Sequence, residues 1–98
     1  MKAELLVDRR VTLTVDAFIE MKLWRLPEPI PGSAHFFKYS LAYVVKGVCV
    51  LRYDNERGKG DHRHDGNVES RITFHNPDQL MNDFLADVTR WNHENYHS

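Results

Sequence analysis

Two histidines separated by a single residue, His62 and His64, offer the clearest chemistry in this sequence. They belong to the segment 53–66, which also contains three aspartates, two arginines, one lysine and three glycines. Imidazole gains and loses a proton near neutral pH, so two neighbouring histidines can serve as a proton donor and a proton acceptor. Because no aliphatic residue interrupts the segment, its composition predicts an exposed charged loop or a functional site.

Metal-independent cleavage of RNA is the first reaction that these residues could perform. It requires a group that removes the 2′-hydroxyl proton, a donor for the departing 5′-oxygen, and cations that stabilise the developing charge. On an extended backbone His62 and His64 point to one face and Arg63 to the other, so both histidines could reach one substrate. Three cations are candidates for the phosphate, and two aspartates could orient an imidazole. They are Arg57, Lys59 and Arg63, and Asp61 and Asp65.

Two other interpretations of the segment remain open on the residues alone. A His-x-His pair flanked by aspartates is a plausible partial site for a divalent metal ion. A solvated hairpin loop without any chemistry is the third possibility. Between Arg52 and Asp65 four basic residues balance four acidic ones, which favours an internally paired loop over a simple phosphate-binding patch. Arg52 itself interrupts an apolar strand and is expected to face the site, and Tyr53 could stack on a base.

The composition is that of an ordinary globular protein, and its length predicts one domain over residues 1–98. The formal net charge is −1, whereas proteins that bind nucleic acid non-specifically are usually basic. Protonation of all six histidines would change this charge to +5. The one cysteine, Cys49, has apolar neighbours and is predicted to be buried. Without a signal peptide or an apolar stretch of about 18 residues, the chain is expected to be cytoplasmic, with no membrane contact and no cofactor.

Hydrophobic periodicity predicts an α+β fold: an antiparallel sheet of about five strands with one C-terminal helix on one face. The predicted strands are 3–14 with a break near 8–10, 17–26, 36–45, 48–53 and 71–74. A helix is the alternative for 17–26, because Glu, Met, Lys and Leu are good helix formers. Three prolines make 27–32 a loop, and Lys46-Gly47 is a hairpin turn. The segment 53–66 therefore begins where a hairpin strand ends, and His35 could face it from a neighbouring strand.

The C-terminal helix has a clear start in the sequence. Asn76 is a good N-cap, Pro77 suits the first helical position, and Gln79 stands where a capping box requires it. Apolar residues then recur every three or four positions and predict the face that packs on the sheet. They are Leu80, Met81, Phe84, Leu85, Val88 and Trp91.

The run 51–64 resembles the TumE family, the toxin half of a type II toxin–antitoxin module. It contains tyrosine-aspartate-asparagine at 53–55, glycine-lysine-glycine at 58–60 and histidine-arginine-histidine at 62–64. The resemblance extends to segments 24–27, 37–45 and 80–88, so it covers nearly the whole chain. Asp65, Asn67 and Ser70 depart from the family pattern but leave the histidines in place.

This resemblance implies a small cytoplasmic toxin that is made beside an antitoxin carrying a helix-turn-helix domain. It also suggests endoribonuclease activity on RNA. The functional set that it implies is Lys59, His62, Arg63 and His64, with Tyr53 and Asp54 next to them. Two alternatives are a non-catalytic protein that docks a cellular partner and a metal-dependent nuclease. Neither the residues nor the resemblance decides which histidine is the acid and which is the base.

Overall fold

The computed structural model describes residues 2–96 as an antiparallel sheet with one helix on one of its faces. The sheet has six strands that follow each other in chain order. The elements are β1 Glu4–Thr14, β2 Ala17–Arg25, β3 Phe37–Val45, β4 Val48–Glu56, β5 Gly60–Asp65, β6 Val68–Arg71 and α1 Pro77–Asn95. The α+β prediction is confirmed, with one strand more than the sequence suggested.

Alternating burial of successive side chains characterises β2. In β2, Ala17, Ile19, Met21 and Leu23 are buried, whereas the residues between them are only partly buried. Strands β3 and β4 are joined by a two-residue turn, Lys46-Gly47, in which both residues have positive φ, 51° and 78°. This is the turn geometry that matches the twist of a two-residue hairpin.

Helix α1 begins at a side-chain cap and packs its apolar stripe on the middle of the sheet. The Oδ1 atom of Asn76 accepts a hydrogen bond of 2.8 Å from the backbone N–H of Gln79. The side chain of Gln79 donates from Nε2 to Oδ1 of Asp83 at 2.7 Å. Phe84 is fully buried and meets the Tyr53 ring edge-on, with 5.4 Å between centroids. Within residues 2–96, no helix is both long enough and apolar enough to cross a membrane.

The prediction of an exposed loop over 53–66 is wrong. Strand β4 continues to Glu56, a three-residue turn follows, and Gly60–Asp65 forms β5 in the interior of the sheet, between β4 and β6. The polar side chains of this strand find partners on both faces of the sheet, so the segment needs no aliphatic residue to be ordered. Strand β5, which the sequence did not predict, is therefore the part of the chain that carries His62 and His64.

Smaller departures from the predicted elements have local causes. Strand β1 runs without a break near 8–10, and its irregularities lie at 5–7 and 12–14. The predicted strand 71–74 is replaced by β6, which ends at Arg71. Cys49 is exposed, because a register shift between Tyr43 and Val44 pairs it with Val44, on the face that α1 does not cover. Leu85 is also exposed, at the margin of the apolar stripe.

Replacing Phe84 by alanine should lower the free energy of unfolding by about 3 kcal/mol, because it leaves a cavity under the helix. Leu85→Ala is the matched control: this side chain is 42% exposed, so its loss should cost less than about 1 kcal/mol. Urea denaturation of both variants measures the difference. Equal destabilisation by the two substitutions would contradict the placement of the helix.

Candidate active site

The face of the sheet opposite α1 presents both histidines. Because side chains alternate along a strand, His62 and His64 share this open face with residues of β4 and β6. The strand registers create two neighbouring rows, Arg52–His64–Glu69 and Asp54–His62–Arg71. Each row places an imidazole between a guanidinium and a carboxylate, and the order of charge is reversed from one row to the next. The predicted shared face of the two histidines is confirmed.

The hydrogen bonds of His62 fix which of its nitrogens is basic. Its Nδ1 lies 2.9 Å from the carbonyl oxygen of Gly60. A carbonyl oxygen only accepts, so Nδ1 carries a proton and the neutral ring has its lone pair on Nε2. The Oε1 atom of Glu69 is 3.7 Å from Nε2. The His62 side chain is only 10% exposed, whereas the Glu69 side chain is 46% exposed.

His64 is the more accessible of the two imidazoles. Its side chain is 35% exposed, and its Nε2 lies 3.8 Å from Oδ1 of Asp54. This distance allows an ion pair with the protonated ring but is too long for a hydrogen bond. The ring lines an open pocket of about 270 Å³, together with Arg52, Asp54 and Glu56. The pocket gives a solvent-borne ligand direct access to this histidine.

Asp54 is an energetically unfavourable carboxylate. It is buried, and its Oδ1 has no hydrogen-bond partner within residues 2–96. Burial raises the pKa of Asp54, as does the charge of Glu56, while His64 and Arg52 oppose this shift. Carboxylates held in such surroundings are concentrated at functional sites.

The helix-covered face of β5 is tied down by an ion-pair network centred on Asp87 of α1. The Arg63 guanidinium binds Asp87 through two hydrogen bonds, Nε to Oδ2 at 2.7 Å and Nη2 to Oδ1 at 3.0 Å. Tyr53 and Arg90 also donate to this carboxylate, at 2.9 and 2.8 Å, and Arg90 reaches Asp65. The hydrogen bonds with Asp87 raise the pKa of Arg63. Burial raises the pKa of Tyr53 to about 12, with a further contribution from its bond to Asp87.

Asp61 anchors the other end of β5 on the same face. Its Oδ1 accepts hydrogen bonds from the Tyr39 hydroxyl at 2.6 Å and from Nε2 of His35 at 2.9 Å. The other ring nitrogen of His35 accepts from the backbone N–H of Phe37, so the ring is held in one tautomer. It also stacks on Phe74, with 3.9 Å between centroids. His35 therefore lies on the face opposite the two central histidines.

The structure thus divides the predicted site residues into three groups. The first shares the open face: Arg52, Asp54, His62 and His64. The second lies on the helix-covered face and bonds to other protein groups: Tyr53, Asp61 and Arg63. The third belongs to the turn between β4 and β5: Arg57 and Lys59. Lys59 is 59% exposed and pairs with Glu56 at 3.7 Å.

Two residues of the open face, Glu69 and Arg71, were missed from the sequence. Their signal is the two-residue turn Gly66-Asn67, which sets the register that brings Arg71 opposite His62 and Glu69 opposite His64. Across the described chain, residues 2–96, no three histidine, cysteine, aspartate or glutamate side chains converge as a metal site would require.

A protein-family model described as toxin TumE matches residues 2–92. The chain belongs to the TumE toxin family. This membership gives it the role of a toxin and implies an antitoxin as its partner. Neither the curated proteins nor the solved structures contain a significant match to the chain.

The TumE motif now has a structural meaning. Tyrosine-aspartate-asparagine at 53–55 lies near the C-terminal end of β4. Glycine-lysine-glycine at 58–60 completes the turn and provides the first residue of β5. Histidine-arginine-histidine at 62–64 lies in the middle of β5. The alternation of this last triplet sends the histidines to the open face and the arginine to Asp87.

Replacing Asp87 by asparagine should destabilise the protein by about 2–3 kcal/mol at pH 7, because Arg63 loses its counter-charge under the helix. Burial alone would raise the pKa of Asp87, but the hydrogen bonds from Arg63, Arg90 and Tyr53 outweigh it and lower that pKa. The ionised carboxylate therefore stabilises the fold above its unfolded-state pKa, and this contribution is lost as the pH falls through its folded-state pKa. The stability difference between the two proteins should narrow below about pH 4.

Urea titrations from pH 3 to pH 8 measure this difference. Asp83→Asn, on the exposed side of the same helix, is the control and should change the stability little. A difference between wild type and Asp87→Asn that does not vary with pH would contradict the charge network.

Asp54→Asn should have the opposite effect and raise the stability at pH 7 by about 1 kcal/mol, because it removes a buried charge without a hydrogen-bond partner at Oδ1. A carboxylate with a raised folded-state pKa stabilises only in its protonated form, so the advantage of the variant should grow as the pH rises through that pKa. Urea midpoints between pH 3 and pH 8 measure it, with the exposed Asp8→Asn as control. A variant less stable than wild type at pH 7 would refute the account of Asp54.

Proposed function

We propose that the chain is a cytoplasmic toxin that cleaves RNA without a metal ion, with His62 and His64 as its acid–base pair. One observation carries this proposal: the two imidazoles stand side by side on the open face of the sheet, in rows that also contain Arg52 and Arg71. Two proton-transfer groups beside two cations are what transesterification at a phosphodiester requires.

In this proposal His62 is the base, because the lone pair of its neutral ring lies on Nε2. Its Nε2 takes the proton of the 2′-hydroxyl, and the 2′-oxygen attacks the phosphorus. The bond from phosphorus to the 5′-oxygen breaks, and protonated His64 donates its proton to that oxygen. The products are a 2′,3′-cyclic phosphate and a free 5′-hydroxyl, so each histidine ends in the protonation state from which the other began.

The charged neighbours have distinct tasks in this proposal. Arg52 and Arg71 stabilise the negative charge that develops on the phosphate oxygens. Asp54, at 3.8 Å from Nε2 of His64, is the counter-charge for the imidazolium. Glu69 lies 3.7 Å from Nε2 of His62 and its side chain is 46% exposed, so it can rotate away when RNA enters.

The residues outside the open face act at a greater distance. Lys59 and Arg57, in the exposed turn before β5, attract and hold the RNA backbone. Arg63 and Asp61 are positioning residues, since their bonds to Asp87, Tyr39 and His35 hold the strand that carries the histidines. Tyr53 supports Arg63 through the same carboxylate.

The antitoxin in this proposal carries a helix-turn-helix domain and inhibits by covering the open face. Its binding would then remove His64 from solvent and neutralise the neighbouring charges. Such coverage predicts that antitoxin and RNA compete for the toxin.

Growth assays and purified-protein assays test the histidine pair. His62→Ala and His64→Ala should each lower the rate of RNA cleavage at least about a hundredfold and should relieve growth inhibition in cells without antitoxin. His93→Ala, on the exposed surface of α1, is the matched control and should remain as toxic as wild type. Thermal denaturation of each variant separates a lost proton-transfer group from a lost fold. Full toxicity of both histidine variants would refute the proposal.

Two further outcomes of the same assays would favour other functions. RNA that stays intact while growth stops would indicate a toxin that docks a cellular partner. Cleavage abolished by EDTA and restored by a divalent metal would indicate a metal-dependent nuclease, whereas the proposed mechanism is insensitive to the chelator.

A further inference from the structure

A side chain bridges strands β3 and β4 near the turn 57–59, which joins β4 to β5. Their backbone pairing ends at Ser40 opposite Asp54. Beyond this point the buried amide of Asn55 replaces the backbone ladder: its Oδ1 accepts from the N–H of Tyr39 at 3.0 Å, and its Nδ2 donates to the carbonyl of Phe37 at 2.7 Å. A side chain inserted between two strands holds them further apart than direct backbone hydrogen bonds would.

The space beside this amide is a pocket of about 480 Å³. Its apolar wall is formed by the loop that follows β2, through Leu26, Ile30 and Pro31. Lys38 and Arg57 line it with two positive charges, and Glu56 with one negative charge. Small-molecule sites typically combine apolar walls with a few polar groups in volumes of roughly 300–1,000 Å³.

The wall of the pocket is anchored to the turn that precedes β5. The backbone N–H of Gly58 donates to the carbonyl of Pro31 at 2.7 Å. Gly32 packs so closely on Gly58 that a Cβ atom at Gly32 would lie 3.0 Å from the Gly58 Cα, and its φ of 93° also requires glycine. These contacts join the loop 27–32 to the turn 57–59, and residues of both segments line the pocket.

The pocket shares one lining residue with the pocket that His64 lines. Glu56 lines both this pocket and the one that contains His64, so a chain bound at the histidines would pass its next nucleotide to this site. We infer that the pocket binds the nucleobase of the nucleotide adjacent to the scissile phosphate. The apolar wall contacts the face of the base, and Lys38 and Arg57 contact its phosphate. This inference rests on the proposed RNA cleavage and adds a recognition site to it.

Binding of mononucleotides to His64→Ala protein tests the pocket without any cleavage. The probes are 5′-AMP, 5′-CMP, 5′-GMP and 5′-UMP, observed by protein NMR, with inorganic phosphate as a separate ligand. At least one nucleotide should bind and shift the resonances of Ile30 and Asn55. Arg57→Ala, which removes a phosphate contact, and Ile30→Trp, which fills the pocket, should each weaken binding about tenfold or more. Arg9→Ala removes an equal charge on β1 and should leave binding unchanged.

Three results overturn the inference. They are the absence of nucleotide binding, equal binding of nucleotide and inorganic phosphate, and nucleotide binding that Ile30→Trp does not weaken. Steady-state cleavage by otherwise wild-type protein gives the second readout: Ile30→Trp should raise KM at least about tenfold with a smaller effect on kcat. RNA cleavage without nucleotide binding refutes the pocket and leaves the histidine mechanism standing. Nucleotide binding without RNA cleavage refutes the mechanism and leaves the pocket.

Discussion

The bidentate ion pair between Arg63 and Asp87 is the interaction on which the rest of the structure depends. The apolar stripe of α1 covers the buried residues of β2, β3 and β4, but the inner face of β5 carries only Asp61, Arg63 and Asp65. No hydrophobic burial holds that strand under the helix. Its place is fixed by backbone pairing with its neighbours and by polar contacts, of which the pair with Asp87 is the most directed.

Alternation along one short strand turns this anchor into a functional surface. Asp61, Arg63 and Asp65 bond to other side chains on the helix-covered face of β5. The residues between them, His62 and His64, lie on the open face. The side chains on the helix-covered face hold the backbone of β5 and thereby orient the two histidines. Of their ring nitrogens, only Nδ1 of His62 is used in a hydrogen bond within the described chain. A rigid presentation of this kind is what proton transfer in a defined geometry requires.

Apolar periodicity in the sequence predicted the elements that pack through a continuous apolar face. The apolar periods of β2, β3 and α1 were sufficient to place them, and alternation alone predicted that the two histidines share a face. Strand β5 escaped prediction because its decisive partner, Asp87, lies 24 positions beyond Arg63. The exposure of Cys49 depends on a bulge, and the position of Arg71 on a register. Neither can be derived from the composition of the segment.

The division of β5 between two faces also restricts how this chain can change in length. Insertion or deletion of one residue within the six positions Gly60–Asp65 would turn every later side chain of the strand to the other side of the sheet. Histidine imidazoles would then meet the helix, and a guanidinium would face solvent without its carboxylate. The number of residues within the strand is therefore fixed by its two-sided role.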